Sequence, residues 1–208
     1  KSRNYQVTFQ RPETDSYQDG LPMDWTSGWA LKLHAHVRDV GRLKAASDWV
    51  LAVRGGAQGP ATTVYAADLD DDTQDEYVLC NDRVFLVFER WGARLVAAFV
   101  YDPSVNGGDA IAVVGAPAAN PAEEHEFEYI NNVRCSAFKD QYSTGQGTSD
   151  YADHDYGAIA PVPGPDAWHF MSGDGRVAKT YRLERGRDVV RAEYAMAPDI
   201  GTMYVRHG

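Results

Sequence analysis

The segment EYVLC-ND-RVFLVFE, residues 76–89, decides the fold of this chain. It contains two short runs of mostly β-branched, aromatic and other apolar residues, Glu76–Cys80 and Arg83–Glu89, which the polar pair Asn81-Asp82 separates. Runs of this length and composition are typical of β-strands, and an Asn-Asp pair is typical of a turn. The segment therefore predicts two neighbouring strands joined by a turn.

The same pattern continues on both sides of this segment. Further candidate strands, each bounded by turn-forming residues, are Thr62–Ala66, Arg94–Tyr101, Ala110–Gly115, Val133–Phe138, Ala167–Ser172, Val177–Glu184, Val189–Met196 and Thr202–Arg206. Another short strand is expected over Tyr5–Gln10, and a long surface loop over Gly145–Pro165. Many short strands separated by turns favour an antiparallel β-sandwich over a parallel α/β sheet.

One segment upstream has a different period. Between Trp29 and Val53, apolar residues recur at steps of three and four, which predicts a helix with one apolar face. Gly41 lies inside this segment, where it is expected to split the helix into two.

A flexible stretch, Gly55–Pro60, separates the helical pattern from the strands. We therefore predict two parts. Residues 1–56 form a helical segment at the end of an upstream domain. Residues 60–208 form the β-sandwich, truncated at its C-terminus.

The charge of the chain excludes some classes of partner. Its 30 acidic and 20 basic residues give a formal net charge of -10. An acidic surface repels phosphate backbones and anionic lipid headgroups, so nucleic-acid binding and membrane-surface roles are disfavoured. No apolar run approaches the length of a membrane span.

The two cysteines, Cys80 and Cys135, do not form a C-x-x-C pair, which argues against a structural zinc site. Two alternatives stay open for them. A single disulfide would suit an extracytoplasmic protein. Two buried free thiols would pack as small apolar side chains.

The most distinctive cluster of charge is the run DLDDDTQDE, residues 68–76. Its carboxylates recur at the first, third, fifth and ninth positions, a spacing that can point alternate side chains toward one cation. Calcium takes six to eight oxygen ligands, including backbone carbonyls. We therefore predict a structural calcium loop with the ligands Asp68, Asp70, Asp72, Gln74 and Glu76.

Two positions of this loop depart from the usual calcium-loop pattern. Such loops carry glycine at the fourth and sixth positions, where the chain bends, and here Asp71 and Thr73 stand there. The alternative is a solvated acidic turn that binds no ion. The flanking strand patterns, with Leu79 at the twelfth position, argue against an EF-hand.

Aromatic residues in or beside the predicted loops are candidate platforms for sugar rings, because a flat ring can stack on a pyranose. They are Trp91, Tyr142, Tyr151, Tyr156 and Trp168. The alternative for each of them is a ring that covers the end of the sandwich.

Several segments together resemble a known family. They are Asp68–Asp72, Glu76–Leu79, Asn81–Phe85 with Phe88-Glu89, Gly92–Leu95 and Arg134–Asp140. This order resembles the C-terminal β-sandwich of bacterial glycoside hydrolase family 57-like proteins, the relatives of α-amylases and glucanotransferases. The likeness extends from Trp25 to Val205, although Ala93 replaces the second glycine of the family's turn.

The resemblance implies a galactose-mutarotase-like sandwich that packs against a catalytic barrel. In that family the catalytic carboxylates lie on the barrel, so no catalytic residue is carried over to this chain. The implied protein is secreted, bacterial, and extracellular or at the cell surface. Whether a larger parent protein is a hydrolase stays open.

The leading hypothesis is thus a non-catalytic sandwich part of a larger carbohydrate-active protein, whose partner is the rest of that polypeptide or a glycan. The alternatives are a self-standing carbohydrate-binding module and a structural protein of an extracellular assembly.

Overall fold

The computed structural model describes residues 17–18, 21–22, 28–71, 73–105, 108–115, 136–144, 147–150, 154–162 and 166–207. These residues form a long helix, α1 (Gly28–Arg54), and a series of short strands. The strands are β1 (Tyr17–Gln18), β2 (Leu21–Pro22), β3 (Thr63–Ala67), β4 (Glu76–Cys80), β5 (Val84–Phe88), β6 (Leu95–Asp102), β7 (Asp109–Val114), β8 (Ala137–Thr144), β9 (Gly147–Asp150), β10 (Ala158–Pro161), β11 (Ala167–Met171), β12 (Val177–Leu183), β13 (Val190–Met196) and β14 (Met203–His207).

The strands form two main sheets in which every pairing is antiparallel. The large sheet has the order β14-β8-β6-β5-β4-β3, with β7 also paired to β6 and β9 to β8. The small sheet has the order β10-β11-β12-β13. Strands β1 and β2 pair only with each other in the described part of the chain.

The first hydrophobic cluster lies between the two sheets. Leu86 and Phe88 of the large sheet pack there against Phe170 and Tyr181 of the small sheet. The ring of Phe88 stacks on that of Tyr181 with centroids 4.4 Å apart. Face-to-face sheets with a shared apolar core make a sandwich, so the predicted mainly antiparallel β fold with a preceding helix is confirmed. Membership of the galactose-mutarotase-like class stays a prediction.

A second cluster lies on the opposite face of the large sheet, under α1. Trp49 of the helix packs there with Phe85 and Val87 of β5. Both faces of β5 are therefore covered, which explains why VFLVF carries no polar alternation: a continuous apolar run is typical of a strand buried on both sides.

Because Ala46, Trp49 and Val50 of α1 share this core with the large sheet, the C-terminal half of the helix packs on the sandwich. The helix ends close to the predicted boundary at residue 56. The assignment of residues 1–56 to an upstream domain stays a prediction.

The prediction that Gly41 splits the helix is wrong, because α1 is continuous from Gly28 to Arg54. Gly41 serves a different purpose. A Cβ atom at this position would lie 1.9 Å from the carbonyl oxygen of Leu69. The glycine therefore lets the helix approach the backbone of the acidic loop closely.

Most predicted strands are confirmed with small shifts at their ends, but two segments are exceptions. Of the strand predicted at Val133–Phe138, residues 133–135 lie outside the described residues, and the observed strand β8 runs instead from Ala137 to Thr144. The second exception is the segment 145–165. The expected continuous loop is wrong, since β9 and β10 both lie within it and pair with β8 and β11. The sequence of β9, GTSD, is polar, and that of β10, AIAP, ends in a proline, so neither has a strong local preference for a strand. Pairing with the neighbouring strands stabilises them instead. The strand predicted at Tyr5–Gln10 lies outside the described residues.

Cys80 is a buried free thiol on β4, and burial raises its pKa to about 12. Cys135 lies outside the described residues. Among the described residues, no helix combines the length and hydrophobicity needed to cross a membrane.

Candidate metal site and buried ionic network

Arg42, on the face of α1 that meets the large sheet, is the centre of a buried group of charges. Its side chain is 1% exposed. The guanidinium donates to Asp70 at 3.0 Å and to Glu89, and it lies 3.5 Å from Asp39 one turn earlier on the helix. These contacts join the helix, the acidic loop and the end of β5.

A second arginine lies behind Glu89. Arg94 is fully buried, and its guanidinium is 3.8 Å from the Glu89 carboxylate. Charges removed from water need paired partners, and here Glu89 lies between two guanidinium groups. The network thus extends from α1 through β5 to the start of β6.

The pKa of Arg42 reflects these neighbours. Burial lowers the pKa, but Glu89, Asp70, Glu76 and Asp39 together raise it well above the ordinary value. Arg42 therefore stays cationic and neutralises part of the surrounding negative charge.

Three predicted calcium ligands converge beside Arg42. Single carboxylate oxygens of Asp68, Asp70 and Glu76 all lie within 4.8 Å of one another, with Asp68 exposed and the other two buried. The backbone N–H of Leu69 donates to Glu76 at 2.7 Å, and that of Thr73 donates to Asp68 at 2.9 Å. These three oxygens are close enough to share one cation.

The backbone of the loop bends as a calcium loop would. Asp71 has a φ of 65° and Thr73 a φ of 78°. These are the fourth and sixth positions of the run, where glycine was expected. An aspartate tolerates the left-handed region, whereas a β-branched residue is strained there. The loop therefore keeps the bend without the glycines.

The carboxyl group of Glu76 is strongly perturbed by its surroundings. Its pKa is raised to about 9, first by burial and then by Asp70 and Glu89, while Arg42 and the Leu69 N–H lower it. Without a cation Glu76 is therefore protonated at neutral pH. A divalent ion would favour the ionised form, which is how a cation inverts the electrostatics of such a site.

The other two predicted ligands are less informative. Asp72 lies outside the described residues, and Gln74 is half-buried in the same loop. The sequence prediction did not include Arg42, Asp39, Glu89 or Arg94. Asp39 and Arg42 are spaced as ion-paired neighbours on a helix, a signal that could have identified them, but nothing local indicates that Glu89 meets Arg42.

Two of the predicted sugar platforms belong to the core. Tyr156 is fully buried, and Trp168 is 5% exposed and donates its indole N–H to the Val78 carbonyl at 2.9 Å. Neither ring has a face open to a ligand in this structure. This agrees with the alternative that such rings complete the sandwich.

The remaining aromatic candidates lie elsewhere. Trp91 is half-buried, with the guanidinium of Arg90 5.8 Å from its ring centroid. Tyr142 lies on β8 at the register position opposite Met203, and Tyr151 lies outside the described residues. The predicted platforms are therefore not brought together on one described surface.

A groove of about 460 Å³ runs between α1 and the edge strand β3. Its lining includes Trp49, Tyr65 and two carboxylates, Asp48 and Asp68. Asp48 is ion-paired with Lys44 at 2.6 Å. The groove thus adjoins the acidic loop at Asp68.

No family model, curated protein or solved structure matches this chain.

Proposed function

We propose that the chain is a non-catalytic β-sandwich part of a larger carbohydrate-active protein, in which a structural calcium ion fixes the helix and the acidic loop on the sandwich. The carbohydrate part of this proposal rests on the resemblance of residues 68–95 and 134–140 to glycoside hydrolase family 57-like sandwiches. The part concerning a larger protein rests on an exposed surface of α1.

That surface is a stripe of apolar side chains on the outer side of the helix. Val40 and Leu51 are each 61% exposed and Leu43 is 37% exposed. Their spacing places them on one side of α1, away from Trp49 and the sheet. Exposed apolar side chains aligned in this way are typical of a surface that packs against another part of a protein. This stripe is the observation that carries the proposal.

The calcium part is supported by the convergence of Asp68, Asp70 and Glu76 and by the positive φ angles of the loop. The buried network and the acidic loop bring five carboxyl groups close to only two guanidinium groups, those of Arg42 and Arg94. The five acids are Asp39, Asp68, Asp70, Glu76 and Glu89. A divalent cation would offset the excess of negative charge. Bound at this point, it would hold the loop against the helix at Gly41.

The proposal is tested on the protein in its source cells. An antibody against residues 28–207 should detect a species larger than 23.0 kDa, and that species should bind or cleave a polysaccharide. The isolated chain should cleave none, because the catalytic carboxylates would lie elsewhere. A native species of 23.0 kDa without affinity for any polysaccharide would refute the proposal.

The calcium part has its own test. Melting temperatures of the chain are compared in excess calcium and in a chelator, since an ion that binds the native state stabilises it. We expect a higher melting temperature with calcium. Equal values in both conditions would exclude a structural calcium site while leaving the carbohydrate proposal standing.

A further inference from the structure

A second buried charge pair lies inside the sandwich, remote in sequence from the acidic loop. Lys179 of β12 contacts Asp140 of β8, and both side chains have an exposure of 0%. Strand β12 belongs to the small sheet and β8 to the large sheet. The pair therefore bridges the two layers through the interior.

Two backbone carbonyls hold the lysine amine in place. Lys179 Nζ donates to the carbonyl oxygen of Phe138 at 3.0 Å and to that of Gly92. A neutral amine has two N–H groups and one lone pair. With the two N–H groups donated to these carbonyls, the lone pair is directed to Asp140.

The surroundings lower the pKa of this amine. Burial lowers the pKa of Lys179, Asp140 raises it, and the neighbouring Arg94 lowers it further. Burying two charges costs free energy, and this cost falls when the lysine proton moves to the carboxylate. The pair is then a neutral amine beside a neutral carboxylic acid.

Two aromatic rings lie beside the lysine amine, and the hydroxyl group of one of them contacts the carboxyl group of Asp140. The amine nitrogen lies 5.0 Å from the ring centroid of Tyr156 and 5.7 Å from that of Tyr194. The Tyr194 hydroxyl donates to Asp140 Oδ1 at 3.2 Å. This bond polarises the carbonyl and would stabilise the oxyanion that forms when a nucleophile attacks the carboxyl carbon.

We propose that Lys179 and Asp140 condense in the folded chain to an isopeptide bond that links the two sheets covalently. The Nζ–Cγ bond forms and the Cγ–Oδ2 bond breaks. Oδ2 leaves as water, carrying the acid proton and one proton from the amine. The step needs no oxidant, reductant or cofactor, and the fixed geometry supplies the effective concentration that a condensation in water lacks.

The first test is the intact mass of the folded, purified chain measured after denaturation. The cross-linked chain should be lighter than its sequence by about 18 Da, the mass of one water molecule. A chain at full sequence mass would overturn the proposal and leave Lys179 and Asp140 as a buried ion pair.

Peptide mapping locates the bond in the unmodified sequence, so that the test does not depend on a variant that folds. Trypsin cuts after Lys139, Arg176 and Arg182, but it does not cut after a linked Lys179, so the link would hold peptides 140–176 and 177–182 together. We expect one species that joins the two. A mass deficit within 140–176 alone would indicate dehydration elsewhere, for example at Asp174-Gly175, and would overturn the assignment.

Variants complete the test. Lys179→Met and Asp140→Ala should restore full mass, whereas the control Lys44→Met should keep the deficit because Lys44 pairs with Asp48 on the surface. Tyr194→Phe should slow bond formation by about a hundredfold, because it removes the hydrogen-bond donor to the oxyanion. An unchanged rate in this variant would exclude that role for Tyr194.

Discussion

Arg42 of α1 and Glu89, the residue after β5, form a buried ion pair across 47 positions of sequence. Both side chains are 1% exposed. This pair connects the helix to the sheet beside the acidic loop. The orientation of the helix and the geometry of the candidate metal site therefore depend on the same interaction.

Removing one partner of this pair should be costly. Arg42→Met removes the guanidinium that Asp70 and Glu89 share and leaves Glu89 with Arg94 alone, and loss of one partner of a buried ion pair typically costs about 3–5 kcal/mol. Chemical denaturation of the variant should show a loss of this size. The exposed ion pair between Lys44 and Asp48 offers the control. Because surface ion pairs contribute little, Lys44→Met should change the free energy of unfolding by less than about 1 kcal/mol. Similar losses in both variants would contradict the buried network.

Gly41→Ala should destabilise the fold although alanine favours helices. The added Cβ would meet the Leu69 carbonyl oxygen at 1.9 Å, so the helix and the loop must separate. We expect a loss of about 1–3 kcal/mol by chemical denaturation. Gly59→Ala is the matched control, because no atom lies within 4 Å of its added Cβ. A stabilised Gly41→Ala variant would show that this close approach does not form.

Stability without calcium should depend on pH through Glu76. Its pKa in the folded chain is about 9, above the ordinary value of 4.5. The folded state therefore holds a proton that the unfolded state releases. Between these two values, this group makes the fold less stable as pH rises, by up to about 1.4 kcal/mol per pH unit.

Glu76→Gln should remove this dependence, since the amide resembles the protonated acid. In chelator at pH 8, the variant should be more stable than the unchanged chain, and the two should converge near pH 4. Urea denaturation at both pH values measures this. Parallel pH profiles for the two proteins would mean that Glu76 is ionised in the fold.

The proposed calcium ligands can be separated from their neighbours by charge-matched variants. Asp68→Asn and Asp75→Asn each remove one exposed carboxylate from the same loop, but only Asp68 belongs to the converging group. We expect Asp68→Asn to reduce the rise in melting temperature that calcium produces, and Asp75→Asn to leave it nearly unchanged. Equal reductions would indicate general attraction of cations to the loop rather than coordination.

Thr73→Gly should stabilise the loop. A threonine at a φ of 78° is strained, and glycine adopts this region freely. We expect a gain of about 1 kcal/mol. The same change at Thr202, which lies in an exposed coil segment without positive φ, should give no gain. A loss of stability in Thr73→Gly would show that this bend is not adopted.

The sequence by itself determined the elements that depend on local pattern. The run VFLVF and its neighbours predict strands because β-branched and aromatic residues suit an extended, buried backbone. The apolar period between Trp29 and Val53 predicts α1. The acidic spacing of residues 68–76 predicted that Asp68, Asp70 and Glu76 converge, because residues within one loop are close together in sequence.

Tertiary structure alone decided the features that join distant segments. Glu89 meets Arg42 because the helix packs on the large sheet, and Asp140 meets Lys179 because two distant strands pack together. No local pattern encodes either pairing. The same packing buries Trp168 and Tyr156, which their position in or beside predicted loops had made candidate sugar platforms. Burial and long-range electrostatics depend on the whole fold, whereas strand and helix propensity depend on a few adjacent residues.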